Sequence, residues 1–430
     1  MKRFPRASAC ISRPLAVLAL ITAFDWIGGS GLHPAQAQGS ASPAVQTSRA
    51  PFDAQRYVPA VVRLSFTSQR HGDVADARQG FVDITVITPS GPVLGRRVEV
   101  ATKDFANLLR RLYAQLSRQE SLDVDNPAAP VRQLYRLLLE PVRAELAAAG
   151  VTTLLISADP GLQAVPFAAL HDGKTYVGES FALALTPSLG LMPLDAPLNR
   201  GSGQQMAAGA SRFEGLSPLP LVPQEVSQVA SASKGQAPST YLNEQFTPQV
   251  LISKAGDSTV DQVHVATHAE FLPGGPSKAK LFTGTSAMSL TEFASLRQRR
   301  EGAPLQLFVL SACRTALGDR DSELGFAGLA LQAGSRSAVG TLWYVDDVAT
   351  SAFFIQFYRY LAQGYPKADA LQATRQDLIA GRISLVGDRV LAADGSPLLT
   401  NLTPAERQRI RGGLSHPYFW AGITMLGTPW

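Results

Sequence analysis

The 430-residue chain is 45% hydrophobic and 17% charged, which gives it material for a sizeable core and excludes a disordered composition. Much of its net charge of +5 is local, because Lys2, Arg3, Arg6 and Arg13 cluster near the start with Asp25 alone opposing them. The remainder is close to neutral, so there is no electrostatic case for nucleic-acid binding.

The first segment reads as an address rather than as fold. The basic opening MKRFPR leads into the apolar run LAVLALITAF (15–24), and small residues follow up to Ala35-Gln36-Ala37. The run is shorter than the roughly 20 residues that a spanning helix needs. Residues 1–37 are therefore expected to be a secretory signal cut after Ala37, leaving a periplasmic or secreted protein. An uncleaved anchor or a misplaced start codon is the alternative. No later segment is long and apolar enough to predict a membrane span. Residues 38–55, rich in Ala, Ser, Gln and Pro, read as a flexible linker. The chain has two cysteines, Cys10 and Cys313. Cys10 would leave with the signal, so Cys313 would remain as a single free thiol with no disulfide partner in its own chain.

Strand-like runs come next, at 61–67, 81–88 and 93–100, with Pro89-Ser90-Gly91 as a turn. From Asp104 the period becomes helical, through Phe105, Leu108, Leu109, Leu112 and Leu116. A second helix is predicted from Pro130 to Gly150, kinked or divided at Pro141. Residues 56–129 carry too few apolar strands to bury a core alone, so they are expected to complete the fold formed by 130–430. Further strands are predicted in VTTLLIS (151–157), DQVHVATH (261–268), LQLFVLS (305–311), SAVGTLW (337–343) and YFWAGITMLG (418–427). Helices are predicted in 224–232, 325–333, 347–363 and 366–380. This alternation predicts an α/β fold with a largely parallel sheet, and no repeat of 20–50 residues points to a solenoid.

Open α/β sheets gather functional groups at the carboxyl ends of strands. Two such ends carry catalytic residue types, His268 after DQVHVAT and Cys313 after LQLFVLS. A thiol is only slightly ionised at neutral pH, and an adjacent imidazole helps form the thiolate and then protonates a leaving amine. Ala269 and Ala312 keep the approaches open. Each residue also has a plain structural reading: a cysteine after an apolar strand is commonly a buried small hydrophobe, and a lone histidine a satisfied core residue.

Four stretches resemble the CHAT domain, a caspase- and separase-related family: HVATHAEF (264–271), VLSACRTALG (309–318), GLALQAGSRSAVGTLWYVDDVAT (328–350) and HPYFWAGITMLG (416–427). Upstream, VRQLYRLLLEPV, TTLLISADPGLQAVPFAAL and LPLVPQEVSQVA fit the same pattern. The resemblance covers roughly Pro130 to Gly427, without the TPR repeats that often accompany the family. It implies a caspase-like three-layer sandwich with a mostly parallel central sheet and flanking helices. It also implies a peptidase dyad, with Cys313 as nucleophile and His268 as general base and acid. Ala269 stands where many relatives have glycine and keeps an N–H for an oxyanion hole, to which Cys313 would also contribute.

Asp346 and Asp347 follow the strand at 337–343, where related proteases shape the pocket for the residue before the cut. Carboxylates there would favour Arg or Lys. The structural alternative is that Asp347 caps a helix over 348–363. Asp319 and Glu323, just after Cys313, belong to a loop that either touches substrate or is cut in activation. His264 and His268 lack further ligands at metal spacing and lie in an extended segment, so no metal or cofactor is expected. His416 reads as structural and His171 as a surface-loop residue. The leading expectation is an exported cysteine peptidase acting on a polypeptide. A catalytically silent module that holds a protein partner is the second reading, and a cysteine-dependent transferase or other hydrolase the third.

Overall fold

The computed structural model describes residues 58–71, 74–89, 91–159, 161–186, 203–233, 238–271, 279–312, 325–343 and 346–430. The expected signal and linker, and with them Cys10, lie outside the described residues. So do Cys313, Asp319 and Glu323.

The strands are β1 Pro59–His71, β2 Val74–Ile87, β3 Leu94–Glu99, β4 Thr153–Ala158, β5 Ala182–Thr186, β6 Gln204–Gly209, β7 Ser239–Leu242, β8 Val260–Ala266, β9 Ala269–Phe271, β10 Ala279–Phe282, β11 Ala287–Ser289, β12 Leu307–Ser311, β13 Ser337–Thr341, β14 Ser384–Val386, β15 Arg389–Leu391, β16 Pro397–Leu399 and β17 Ile423–Gly427. The helices are α1 Thr102–Ser117, α2 Pro130–Leu138, α3 Arg143–Ala148, α4 Val177–Ser180, α5 Val222–Ser231, α6 Pro248–Ala255, α7 Leu296–Arg299, α8 Gly325–Gln332, α9 Asp347–Ala362, α10 Lys367–Ile379 and α11 Pro404–Arg409. The helix expected over 130–150 is divided at Pro141, where a 3-10 turn, Glu140–Val142, separates α2 from α3. Proline lacks the N–H that a continuous helix would need there.

Eleven strands form the central sheet, in the order β3-β2-β1-β4-β5-β17-β13-β12-β8-β6-β7. The segment from Pro59 to Glu99 is thus hydrogen-bonded into the same sheet as the later strands. Among the described residues of this sheet only three neighbouring pairs are antiparallel: β1 with β2, β2 with β3, and β13 with β17. The last of these is a seam. On one side β1, β4, β5 and β17 run parallel; on the other β13, β12, β8, β6 and β7 run parallel in the opposite sense.

Every residue of β4, β5, β12 and β13 is buried. Successive side chains in a strand point to opposite faces, so complete burial requires cover on both. The result is a mixed α/β sandwich with a mostly parallel sheet between helical layers. α5, α9 and α10 pack side by side, with α9 against β12 and α10 against β5, while α8 packs on β12, β13 and β17. Phe308, Val309 and Leu310 in β12 are at most 1% exposed, and burying each such side chain contributes about 1.5–3 kcal/mol.

Candidate active site

β8 and β12 are parallel neighbours, with Ala266 opposite Ser311. His268 lies two residues beyond Ala266, and Cys313 two beyond Ser311. Past the ladder the two chains remain tied, because Thr267 N–H donates to the Ser311 carbonyl at 3.2 Å. The hydroxyl of Thr341, at the end of β13, donates to the Ala312 carbonyl at 2.7 Å. The residues leading to both expected catalytic groups are therefore held at one sheet edge, together with the end of β13.

His268 is partly exposed. Its ring packs against Phe213, with centroids 4.7 Å apart, and its Nε2 lies 2.8 Å from the Ser217 carbonyl oxygen. A carbonyl can only accept, so Nε2 carries the hydrogen and a neutral ring has its lone pair on Nδ1. The loop supplying Phe213 and Ser217 is itself braced. Ala210 N–H donates to the Ala266 carbonyl, Leu219 N–H to the Ser211 carbonyl, and Ser211 donates from N–H and hydroxyl to Asn243 Oδ1. Gly209 permits this close approach: a Cβ there would stand 2.6 Å from the Ala266 carbonyl oxygen and 2.5 Å from Val222. On the far side of His268, Phe282 N–H donates to its carbonyl, and Ala269 opens β9 opposite Leu281.

Asp346 and Asp347 sit past the end of β13. Asp346, not Asp347, caps α9: its Oδ1 accepts from Val348 N–H at 3.0 Å and Ala349 N–H at 3.2 Å. The cap falls one residue before Asp347 because the Asp346 backbone is extended, as a cap requires, while Asp347 is already helical. Both carboxylates meet one cation. Arg409 of α11 donates from Nε to Asp346 Oδ2 at 2.6 Å, and from Nη2 to Asp347 Oδ1. Burial raises the pKa of Asp347 above the usual carboxylate range, with Arg409 opposing the shift.

Three further histidines hold structural positions. His264 is fully buried at the centre of β8, with Nε2 2.9 Å from Glu225 Oε1. Glu225 on α5 also accepts from the Ser351 hydroxyl at 2.6 Å, which ties β8, α5 and α9 together. His416 accepts from Tyr418 N–H on Nδ1 and donates from Nε2 to the Glu120 carbonyl. His171 is not the surface residue expected from its polar neighbours. It is 5% exposed, its ring meets Tyr176 edge-on at 4.6 Å, and burial lowers its pKa.

Sequence reasoning missed Glu225, Arg409 and the Phe213–Ser217 loop. Glu225 left one signal, a lone acid among apolar residues in LPLVPQEVSQVA. Nothing local distinguished Arg409 or Ser217, since each acts across a long separation in sequence.

The model of the CHAT domain family matches residues 128–428. The chain belongs to the CHAT domain family. Among solved structures it is similar to the Arg-specific cysteine proteinase gingipain R, at 11% identity and a TM-score of 0.40, over 76% of this chain and 75% of that one. It is also similar to a chain of the Saccharomyces cerevisiae separase–securin complex, at 12% identity and a TM-score of 0.40, over 77% of this chain and 22% of that one. No curated protein matches the chain.

Proposed function

We propose that this CHAT-domain chain is an exported cysteine peptidase that uses a Cys313–His268 dyad and prefers a basic residue before the cut. The observation that supports the reading is the register of β8 and β12, which pairs Ala266 with Ser311, the residues two before His268 and Cys313 in the sequence.

In the proposed reaction the Cys313 thiol gives its proton to Nδ1 of His268, whose Nε2 is held by the Ser217 carbonyl. The thiolate adds to the substrate carbonyl, and backbone N–H groups at Ala269 and Cys313 stabilise the resulting oxyanion. Collapse breaks the C–N bond, and the imidazolium gives its proton to the departing amine. Water, deprotonated by the same ring, then hydrolyses the thioester and restores the thiol. The basic preference rests on Asp346 and Asp347. Because Arg409 already engages both carboxylates, a substrate Arg or Lys would have to share or displace that guanidinium. Export rests on the sequence of residues 1–37 and would deliver a chain beginning at Gln38.

The test is the pH dependence of Cys313 alkylation in wild type and His268→Ala, read with cleavage of a peptide library. Fast alkylation below neutral pH that slows in the variant, with cleavage after Arg or Lys lost, is the expected result. A slow thiol with ordinary pH dependence and no cleavage in either protein would return the chain to the silent binding-module reading. Cleavage only after Asp or apolar residues would remove the acidic pocket while leaving the dyad.

A further inference from the structure

Away from this edge, the core holds a cation without a counter-charge. α10 lies against β5, and Arg375 on it is 1% exposed. Its Nη2 donates to the Ile423 carbonyl at 2.7 Å, while Nε and Nη1 have no hydrogen-bond partner. No carboxylate among the described residues forms an ion pair with it; Asp377, two residues along the helix, is taken by Arg382, Gln356 and Tyr360. Burial lowers the pKa of Arg375 to about 10, so the group remains a cation at neutral pH. A buried charge is ordinarily paired, and a buried donor is ordinarily satisfied.

Arg375 also lines a small, largely buried cavity with room for one water-sized occupant, about 10 Å³. The rest of the wall is apolar, including Ile156, Phe167, Leu185, Leu342 and Ile423, with Thr424 as the other polar residue. The Ile423 carbonyl already accepts from Arg375 Nη2. A water in the cavity would satisfy a donor but leave the guanidinium charge unpaired.

We propose that this cavity binds a single small monovalent anion, a halide such as chloride, against an unpartnered N–H of Arg375. A halide accepts from every side, neutralises the guanidinium and needs no acceptor in return. The size of the cavity excludes polyatomic anions such as sulfate or phosphate. The site lies against β5 and β17, so its occupant would stabilise the sheet rather than take part in peptide cleavage.

The test is thermal unfolding of the full chain in sodium chloride, bromide, gluconate and sulfate at one ionic strength, for wild type and Arg375→Met. The expected result is a wild-type Tm that climbs with each tenfold increase in chloride or bromide above the dissociation constant. It should not climb with gluconate or sulfate, and the halide slope should vanish in the variant. Crystals grown in bromide should show one anomalous peak within hydrogen-bond distance of the Arg375 guanidinium. Equal Tm values in halide and gluconate, an unchanged halide slope in Arg375→Met, or an ordered water without bromide at the site would each overturn the proposal. Should Arg375→Met fail to fold, the wild-type salt series and the bromide peak decide the matter alone.

Discussion

His264 and His268 stand four residues apart on one stretch of chain and meet opposite surroundings. His264 lies within the ladder, sealed by α5 and α9, with a carboxylate on Nε2. His268 lies two residues past the ladder, partly open, with a neutral carbonyl on the same nitrogen. The difference teaches that the strand end, not the residue type, decides what an imidazole can do. Inside the sheet the ring is sealed from solvent, and its Nε2 contact with Glu225 lends order. Beyond it the ring is partly open, as the proposed dyad requires.

The largest effect that would test this contrast is on turnover. His268→Ala should lower peptide cleavage by about 10²–10⁴-fold, the usual worth of a general acid–base, while its denaturant midpoint stays near wild type. Equal loss of stability and cleavage in His268→Ala would erase the distinction between the two rings. The buried side of the contrast is sharpened by Glu225→Ala, which leaves His264 and Ser351 without their shared acceptor. Each buried group left unsatisfied costs about 1–3 kcal/mol, read from urea unfolding, and Glu225→Gln should recover part of it.

Lys367 extends the contrast to a buried cation with no anion bonded to it among the described residues. Its Nζ donates to the Gln306 carbonyl at 3.1 Å, and burial lowers its pKa from 10.5 to about 7. Between those values the unfolded chain binds more protons than the folded one, so wild-type stability should rise with pH across that window. Below pH 7 both states are protonated and the full cost of burying the charge remains. Lys367→Met should therefore be the more stable protein at pH 7 and below, by on the order of a few kcal/mol, with the advantage shrinking as pH rises toward 10.5. Urea unfolding of both proteins across that range checks it, and parallel curves would show that Lys367 is solvated. The smallest effect belongs to the cap. Asp346→Ala should cost about 1 kcal/mol through lost capping of α9, and a Tm unchanged from wild type would mean that the Arg409 contact and the cap are energetically idle.

Much of the fold was legible because α/β alternation writes itself as a change of period, and fully buried strands such as LFVLS appear as unbroken apolar runs. The edge carrying His268 was legible for the same reason: a strand that stops at a histidine is visible without its neighbours. Partnership was not. No local pattern says that β17 inserts between β5 and β13, that Glu225 finds His264 39 residues away, or that Arg409 reaches Asp346 across 63. His171 misled because its flanking Asp172 and Gly173 look like a surface turn, whereas Tyr176 packs over it. Asp346 and Asp347 are interchangeable in a sequence pattern, and only the extended backbone of the first selects it as the cap.

The seam strand has a consequence for how the protein is made. β17 is the last strand in chain order, yet it sits in the middle of the sheet with β5 on one side and β13 on the other. Until Ile423–Gly427 are in place, the chain has two half-sheets, each with an unpaired edge of the kind that invites aggregation. The joining of the halves thus waits on this strand, so a chain stopped short of Ile423 would lose the join rather than a dispensable tail.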